Sequence, residues 1–408
     1  MLPEGWSRST LGEIAKIASG GTPDRSKPEY WGGDVAWVTT GEIQFNTIVD
    51  TTEKITMAGL QNSSAKLFPP GTLLMAMYGQ GKTRGQLAKL GIEATTNQNS
   101  AAILLNDGYE PDFYFHYLSS QYENIRDLGQ AGGISHLNAG LLKQIPVPVA
   151  PVTEQRRIAH ILSTWDQAIA STEEILEITK RWKRAIIFSI FSKSQINHSW
   201  KASTLGKVAT IAPSNVDKKT KEGEREVRLC NYTDVYYNER ISREIPFMRA
   251  TATDSEIKKF SLLQGDVLIT KDSEKADDIA VSARVTEDIS DLVCGYHLTL
   301  IRPDQRKIDS TFLHCHFNLP ETKSYFSSNA NGVTRFGLPL PAIKEAPIFF
   351  PSINEQRKIG KIISNAELEV ENLARAIQLL KKEKSALMSQ LLTGKRRVRL
   401  PADETASA

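Results

Sequence analysis

Cysteine is scarce: three in 408 residues, at Cys230, Cys294 and Cys315, odd in number and far apart. That excludes a disulfide framework and suits a reducing, intracellular compartment. No apolar run approaches the roughly 20 residues of a membrane span. The first residues, MLPEGWSRSTLG, have neither an apolar core nor a small-residue cleavage pattern, so they do not read as a secretory signal. Neither sign of charge dominates, with 50 Lys and Arg against 47 Asp and Glu. Residues 1–150 carry 11 basic and 14 acidic side chains, and residues 200–350 carry 21 of each. Such globular parts do not hold nucleic acid by bulk charge; any contact of that kind rests on local patches or on partners that bring their own charge. Catalytic signatures are missing too. There is no C-x-x-C, H-E-x-x-H, G-x-S-x-G or dinucleotide fingerprint. Asn318-Leu319-Pro320-Glu321 falls short of the Asn/Asp-Pro-Pro-aromatic signature of amino methyltransferases. Nothing argues for catalysis.

What is present is a repeat. Thr153–Ser192 and Asn354–Thr393 each read as one long helix with an apolar stripe at heptad spacing. The core positions of the second are Ile363, Ala366, Val370, Leu373, Ile377, Leu380, Lys384, Leu387 and Leu391. Shifted back by 201 residues, they are Leu162, Trp165, Ile169, Thr172, Leu176, Thr179, Lys183, Ile186 and Ile190. A lysine interrupts the stripe at the same place in both. The globular parts repeat as well: Trp6, Thr10, Leu11, Gly12, Ala15, Ile17 and Ala18 return 194 residues later as Trp200, Thr204, Leu205, Gly206, Ala209, Ile211 and Ala212. The period is too long for a solenoid, so the chain is one domain plus one helical arm, used twice. The expected division is domain 1–150, arm 151–199, domain 200–350, arm 351–394 and a tail 395–408.

Within the first copy, strands are expected at Asp34–Thr39, Thr72–Tyr78 and Ala101–Leu105, and a short aromatic helix at Asp112–Ser120. Ile145–Pro151 reads as an extended, proline-stiffened connector. The second copy keeps these landmarks, with a strand at Val267–Thr270, another within Cys294–Ile301, and a connector at Ala346–Pro351. Residues 213–260 have little in common with residues 19–66. Matched frames around unmatched middles suggest two domains of one fold that read different things.

Two motifs invite chemistry. Gly79-Gln80-Gly81-Lys82-Thr83 follows an apolar strand and looks like the end of a phosphate-binding loop. Such a loop needs a glycine where Ala76 stands and a helix where Arg84-Gly85-Gln86 follows. A tight polar loop with Lys82 and Arg84 at its tip reads better, either merely solvated or touching DNA. His314-Cys315-His316 lacks metal-ligand spacing and reads as packed core. The loops Gly132-Gly133-Ile134-Ser135-His136 and Asn331-Gly332-Val333-Thr334-Arg335 lie at matching points before the connectors, where small residues allow close backbone approach to a ligand. Thr95–Ser100 is rich in amide side chains, the type that pairs with adenine.

In this order and duplicated, the motifs resemble the DNA-specificity subunit of type I restriction–modification systems. The residues that carry the resemblance are Trp6–Ala15 with its echo at Trp200, Gly20–Pro23, Pro70–Leu74 and Asn97–Asn99. The paired glycine loops, Glu154–Ile158 and Glu355–Ile359, and Leu391–Lys395 complete the set. The resemblance implies a mixed α/β (α+β) fold: two target-recognition domains held apart by two long antiparallel coiled-coil helices with a pseudo-two-fold relation. It implies a non-catalytic subunit in which each domain reads half of a bipartite, asymmetric duplex DNA site while the helices set the spacer. Two methyltransferase subunits are the implied partners, with restriction (translocase) subunits able to join, in a prokaryotic cytoplasm. S-adenosylmethionine, ATP and magnesium then belong to those partners; the chain itself needs no cofactor and no metal. Candidate DNA contacts are Thr22, Gln80, Lys82, Thr83, Arg84, Asn97, Gln98, Asn99, Ser135 and His136 in the first domain, and Lys271, Ser273, Tyr296, His297, Thr334 and Arg335 in the second. A coiled-coil scaffold for other proteins, without a DNA role, is the alternative.

Overall fold

The computed structural model describes residues 2–79, 81–128, 136–192 and 200–399. The chain forms two compact units, Met1–Glu173 with Arg375–Ala408, and Glu174–Ala374. Each long helix, Val152–Phe191 and Ile353–Leu391, contributes one part to each unit. Both begin one residue before the expected start and end one or two residues early.

The first unit is built on a five-stranded sheet in the order Ala15–Ser19, Ser100–Leu105, Leu73–Ala76, Leu87–Leu90, Asn46–Ile48. All neighbours are antiparallel except the last pair. Leu73–Ala76 is buried along its whole length, as expected for a central strand covered on both faces. A separate three-stranded sheet centres on Trp31–Val38, antiparallel to Glu53–Ile55 and parallel to Thr95–Thr96.

The second unit has the same plan. Its five-stranded sheet runs Ala209–Pro213, Leu298–Pro303, Val267–Thr270, Ser282–Val285, Arg240–Ile241, again with only the last pair parallel. Its three-stranded sheet centres on Arg225–Cys230, antiparallel to Met248–Ala252 and parallel to Leu292–Cys294. The middles that have little sequence in common thus share their strand order and directions. The span Cys294–Ile301, expected to hold one strand, holds the end of one and most of another. Gly295 separates them, and a Cβ there would sit 2.6 Å from the Cys230 carbonyl oxygen.

The proline connectors are strands. Pro146–Val149 pairs antiparallel with Ser7–Thr10, and Pro347–Phe350 with Lys201–Thr204. Each unit's opening strand is therefore clasped to the strand before its arm. The Tyr114 and Tyr117 hydroxyls donate to the carbonyls of Pro148 and Pro146, both at 3.1 Å. The Glu-Gln pair that follows each connector starts the helix. Gln155 donates to the Ala150 carbonyl and accepts from the Glu110 amide. Gln356, fully buried, donates to Pro351 and Lys307 carbonyls and accepts from the Asp309 amide. In the first unit Glu154 is buried, receiving the Trp6 indole N–H and a two-pronged contact from Arg397.

The heptad stripe holds: every core position named above is buried or half-buried in both helices. In the first unit Leu162, Leu387 and Leu391 join one core with Trp6 and Phe113. The arms run antiparallel there, since Asp166 meets Lys384 and Glu173 meets Lys381. In the second unit Ile187, Ile190 and Phe191 share a core with Ile359 and Ile363. Both stripe lysines find a carboxylate of their own chain, Lys384 at Asp166 and Lys183 at Glu239.

Candidate functional site

In the first unit the glycine-lysine loop is the turn of an antiparallel hairpin, with Ala76 donating to the Gln86 carbonyl and Gly85 to that of Ala76. A strand, not a helix, follows, so this is no phosphate-binding loop. Gly79, Gly81 and Gly85 take φ of 134°, 73° and 86°, which only glycine adopts freely. Lys82 is exposed, and its carbonyl accepts from the Tyr122 hydroxyl at 2.5 Å. Thr83 is half-buried, its carbonyl accepting from Gln86. Arg84 does not stand at the tip as expected. It is 8% exposed, because the closing hydrogen bond of Gly85 draws the residue back to the start of the returning strand.

The amide-rich segment also corrects the expectation. The side-chain oxygen of Asn97 accepts from Thr40 and Ser100 hydroxyls and from the Asn99 amide, at 3.0–3.2 Å. That oxygen shapes a turn, so Asn97 cannot present the bidentate face that an adenine needs. Gln98 is exposed and bonded to the Thr22 hydroxyl. Asn99 gives its carbonyl to the Met77 amide, at 2.9 Å. The pair Gly20-Gly21 lets the chain cross Thr96 closely: a Cβ on Gly20 would lie 1.9 Å from the Thr96 carbonyl oxygen. His136 stacks flat on Tyr78, with ring centroids 4.8 Å apart and planes 9° apart. Tyr78, 41% exposed, was not among the expected contacts. Gln80 and Ser135, with the rest of 129–135, lie outside the described residues. The main chain thus brings Tyr78, Asn99 and His136 together: Met77 donates to Asn99 and accepts from Leu137.

The second unit repeats that junction. Lys271 donates its amide to the His297 carbonyl, and Leu338 donates to the Lys271 carbonyl. Asp272–Ser273, Phe336–Gly337 and Asn331–Gly332 form a small three-stranded sheet. Thr334 and Arg335 sit in its exposed turn, beside Val333, which is 91% exposed. The Lys271 ammonium lies 4.6 Å from the Tyr296 ring and 2.9 Å from Asp272, which also holds His297 Nδ1 at 2.8 Å. Five of the six residues expected here are joined directly by these contacts or by one continuous turn. Ser273, the sixth, pairs with Phe336 at the base of that turn. Tyr232 and Tyr236 stack at 5.4 Å, and Tyr237 is 77% exposed. Burial pushes the Tyr232 phenol up, while a bond to Ser273 opposes the shift. The run Tyr232-Thr233-Asp234-Val235-Tyr236-Tyr237 was the missed signal. Aromatic faces, amides and a few cations in polar loops can touch base edges and phosphates.

His314 and His316 are packed core histidines. His314 Nδ1 lies 3.2 Å from the Ser282 hydroxyl, and His316 receives the Phe349 amide on Nε2 at 3.4 Å. Ligand atoms of Glu239, His314 and Glu367 converge within 4.8 Å, but Lys183 and Arg284 already cap the two carboxylates. Among the described residues no helix is long and apolar enough to cross a membrane.

A duplicated α/β reading frame with unlike polar loops at matching junctions defines a two-domain specificity protein. The model of the type I restriction modification DNA specificity domain matches residues 3–180 and 197–382, and the chain belongs to that family. It is a specificity subunit, concerned with DNA sequence recognition and not an enzyme. This leaves the bare coiled-coil scaffold without support. Its relatives include the type I restriction enzyme MjaIX specificity subunit of Methanocaldococcus jannaschii, 22% identical over 97% of this chain and 95% of that one. The EcoR124I/EcoR124II specificity subunit of Escherichia coli is 30% identical over 43% of this chain and 45% of its own. The fold is similar to that of the type I restriction–modification S subunit from M. genitalium, with TM-score 0.62 and 17% identity, covering 96% of each chain.

Proposed function

We propose that each domain reads one half of a bipartite, asymmetric site in double-stranded DNA. The reading domains are residues 1–150 and 200–350. The arms, residues 151–199 and 351–394, set the spacer as an antiparallel coiled coil and dock two methyltransferase subunits, which restriction subunits can join. S-adenosylmethionine, ATP and magnesium are bound by those partners, in a prokaryotic cytoplasm. The observation that supports this most is the repeated junction: one strand plan, built twice, that carries Tyr78, Asn99 and His136 in one copy and Lys271, Tyr296, His297, Thr334 and Arg335 in the other. Lys82, Thr83, Gln98 and Thr22 flank the first reading surface, and Ser273 the second. Arg84 and Asn97 act from behind as supports.

The test is methylation by the assembled complex on libraries of split sites. Tyr78→Ala with His136→Ala should relax one half-site only, and Lys271→Ala with Arg335→Ala the other only. A base contact is worth roughly 1–3 kcal/mol of discrimination. Loss spread evenly over both halves would refute the assignment. Removing seven residues from each arm shortens it by about 10 Å, about three base pairs at the DNA rise of one turn per 34–36 Å. An unchanged spacer preference would rule out the ruler.

A further inference from the structure

Both units contain a corner where three groups meet: a histidine of the domain, an acid of one arm and a lysine of the other. In the second unit these are His314, Glu367 and Lys183, and Glu239 closes the corner by pairing with Lys183. Glu239 directly precedes the strand Arg240–Ile241, which runs parallel to Ser282–Val285 with Arg240 opposite Arg284. In the first unit Asn46–Ile48 holds that place, with Thr47 opposite Lys89. The central strands fix the correspondence, since Leu73 faces Lys89 and Val267 faces Arg284. Asn46 therefore stands where the second unit has Glu239. It carries no charge, and its side-chain oxygen turns back onto the Gln44 amide at 2.9 Å.

Both corners hold a cavity: about 390 Å3 in the second unit, with Glu239 itself in the wall beside Lys183 and His314, and about 340 Å3 in the first, where His116, Asp166 and Lys384 line it and no carboxylate of the described residues takes the place of Glu239. His116 is 2% exposed, and its Nδ1 has no hydrogen-bond partner among the described residues. The nearest carboxylate oxygen, on Asp166, is 3.8 Å away. The Ser119 hydroxyl on the same wall is also buried and has no partner among the described residues. A buried polar group without a partner costs roughly 1–3 kcal/mol. Phe45 reaches the cavity from a left-handed backbone, φ 56°, and packs edge-on against Tyr122 with centroids 5.3 Å apart. Such strain in a residue with a side chain gathers at ligand sites.

We infer that this cavity binds a small carboxylate, its oxygens placed between Lys384 and His116 as Glu239 is placed between Lys183 and His314 in the second unit, with its apolar part against Phe45, Phe115 and Tyr122. Charge balance sets a condition. Lys384 is already matched by Asp166, and Lys89 by Asp112. An added anion leaves one uncompensated negative charge unless His116 takes up a proton. Burial, followed by Lys384 and weakly by Lys89, holds His116 down at about 4, against the opposing pull of Asp166 and Asp112. Binding therefore favours protonation of His116, and affinity rises as pH falls.

The test is calorimetric titration of the full chain with benzoate, in two buffers of different ionisation enthalpy, at pH 5.5 and pH 7.5. Benzoate should bind more tightly at the lower pH, with proton uptake, while benzyl alcohol should not bind. Lys384→Met should weaken benzoate at least tenfold. His116→Gln should abolish the pH dependence, a change that loss of shape alone does not produce. Asn46→Glu, at an exposed position, supplies the carboxylate from the chain and should compete with benzoate even if Lys384→Met impairs folding. Equal binding of benzyl alcohol, no binding of millimolar benzoate (a cavity holding water only), or indifference to Asn46→Glu would each overturn the site.

Discussion

The buried glutamine that opens each arm offers a measurement with an internal control. Gln356→Ala leaves the Lys307 and Pro351 carbonyls and the Asp309 amide without their partner, whereas Gln155→Ala strands only the Ala150 carbonyl and the Glu110 amide. At about 1 kcal/mol for each group left unmade, the expected costs are about 3 and about 2 kcal/mol. For a unit the size of Glu174–Ala374, about 3 kcal/mol lowers the melting temperature by roughly 6–12 °C. Gln356→Glu separates hydrogen bonding from volume. It keeps the shape and the bond from Asp309 but turns two N–H donations into oxygen facing oxygen. Its cost should at least equal that of alanine. Because two units need not melt together, the assay is calorimetry joined to hydrogen exchange read separately in each unit. A wild-type Gln356→Glu, or an alanine cost below about 0.5 kcal/mol, would show that the motif is not held by these bonds.

Three further outcomes are expected. His316 sits below its ordinary value of 6.5, at about 4, through burial. The unfolded chain then protonates first, so this contribution is whole above pH 6.5 and is lost as pH falls through 4. That loss is about 3 kcal/mol, and His316→Phe should flatten the acid limb of denaturant-derived stability between those values. Arg284→Met strands Glu367, which is 4% exposed, and should cost roughly 3–5 kcal/mol; adding Glu367→Leu should restore most of it, as urea titration can show. Gly20→Ala places a methyl group 1.9 Å from the Thr96 oxygen and should cost roughly 2–4 kcal/mol, detected as protease sensitivity confined to the first unit.

Much of the frame was legible because it is written in periodic or repeated residues. The heptad stripe needs only burial every three or four positions, and it held in both arms to within two residues at the ends. The shared plan of the two middles was not legible. Trp31–Val38 and Arg225–Cys230 occupy the same place with unrelated side chains, because strand order is set by backbone pairing that many sequences satisfy. The loops were legible by composition and not by role. Asn97 looks like a reader by residue type, yet its oxygen is consumed by a turn that depends on Thr40, 57 residues away. Arg84 looks exposed within a glycine-rich run, yet strand closure at the next residue, Gly85, buries it. Tyr78 was passed over as the end of an apolar strand, although its ring faces outward to stack on His136.

The first unit is discontinuous and the second is not, which orders the birth of the protein on the ribosome. Residues Glu174–Ala374 are made as one uninterrupted stretch and can complete their core as soon as they emerge. The first unit is begun earlier but must wait. Leu391 and Leu392 fill its core, and Arg397 neutralises its buried Glu154; all three are made after the whole of the second unit. Until then Leu162 and Glu154 lack their cover. The earlier domain is completed by residues 375–397, made after the whole of the second unit, and not by its own first 173 residues.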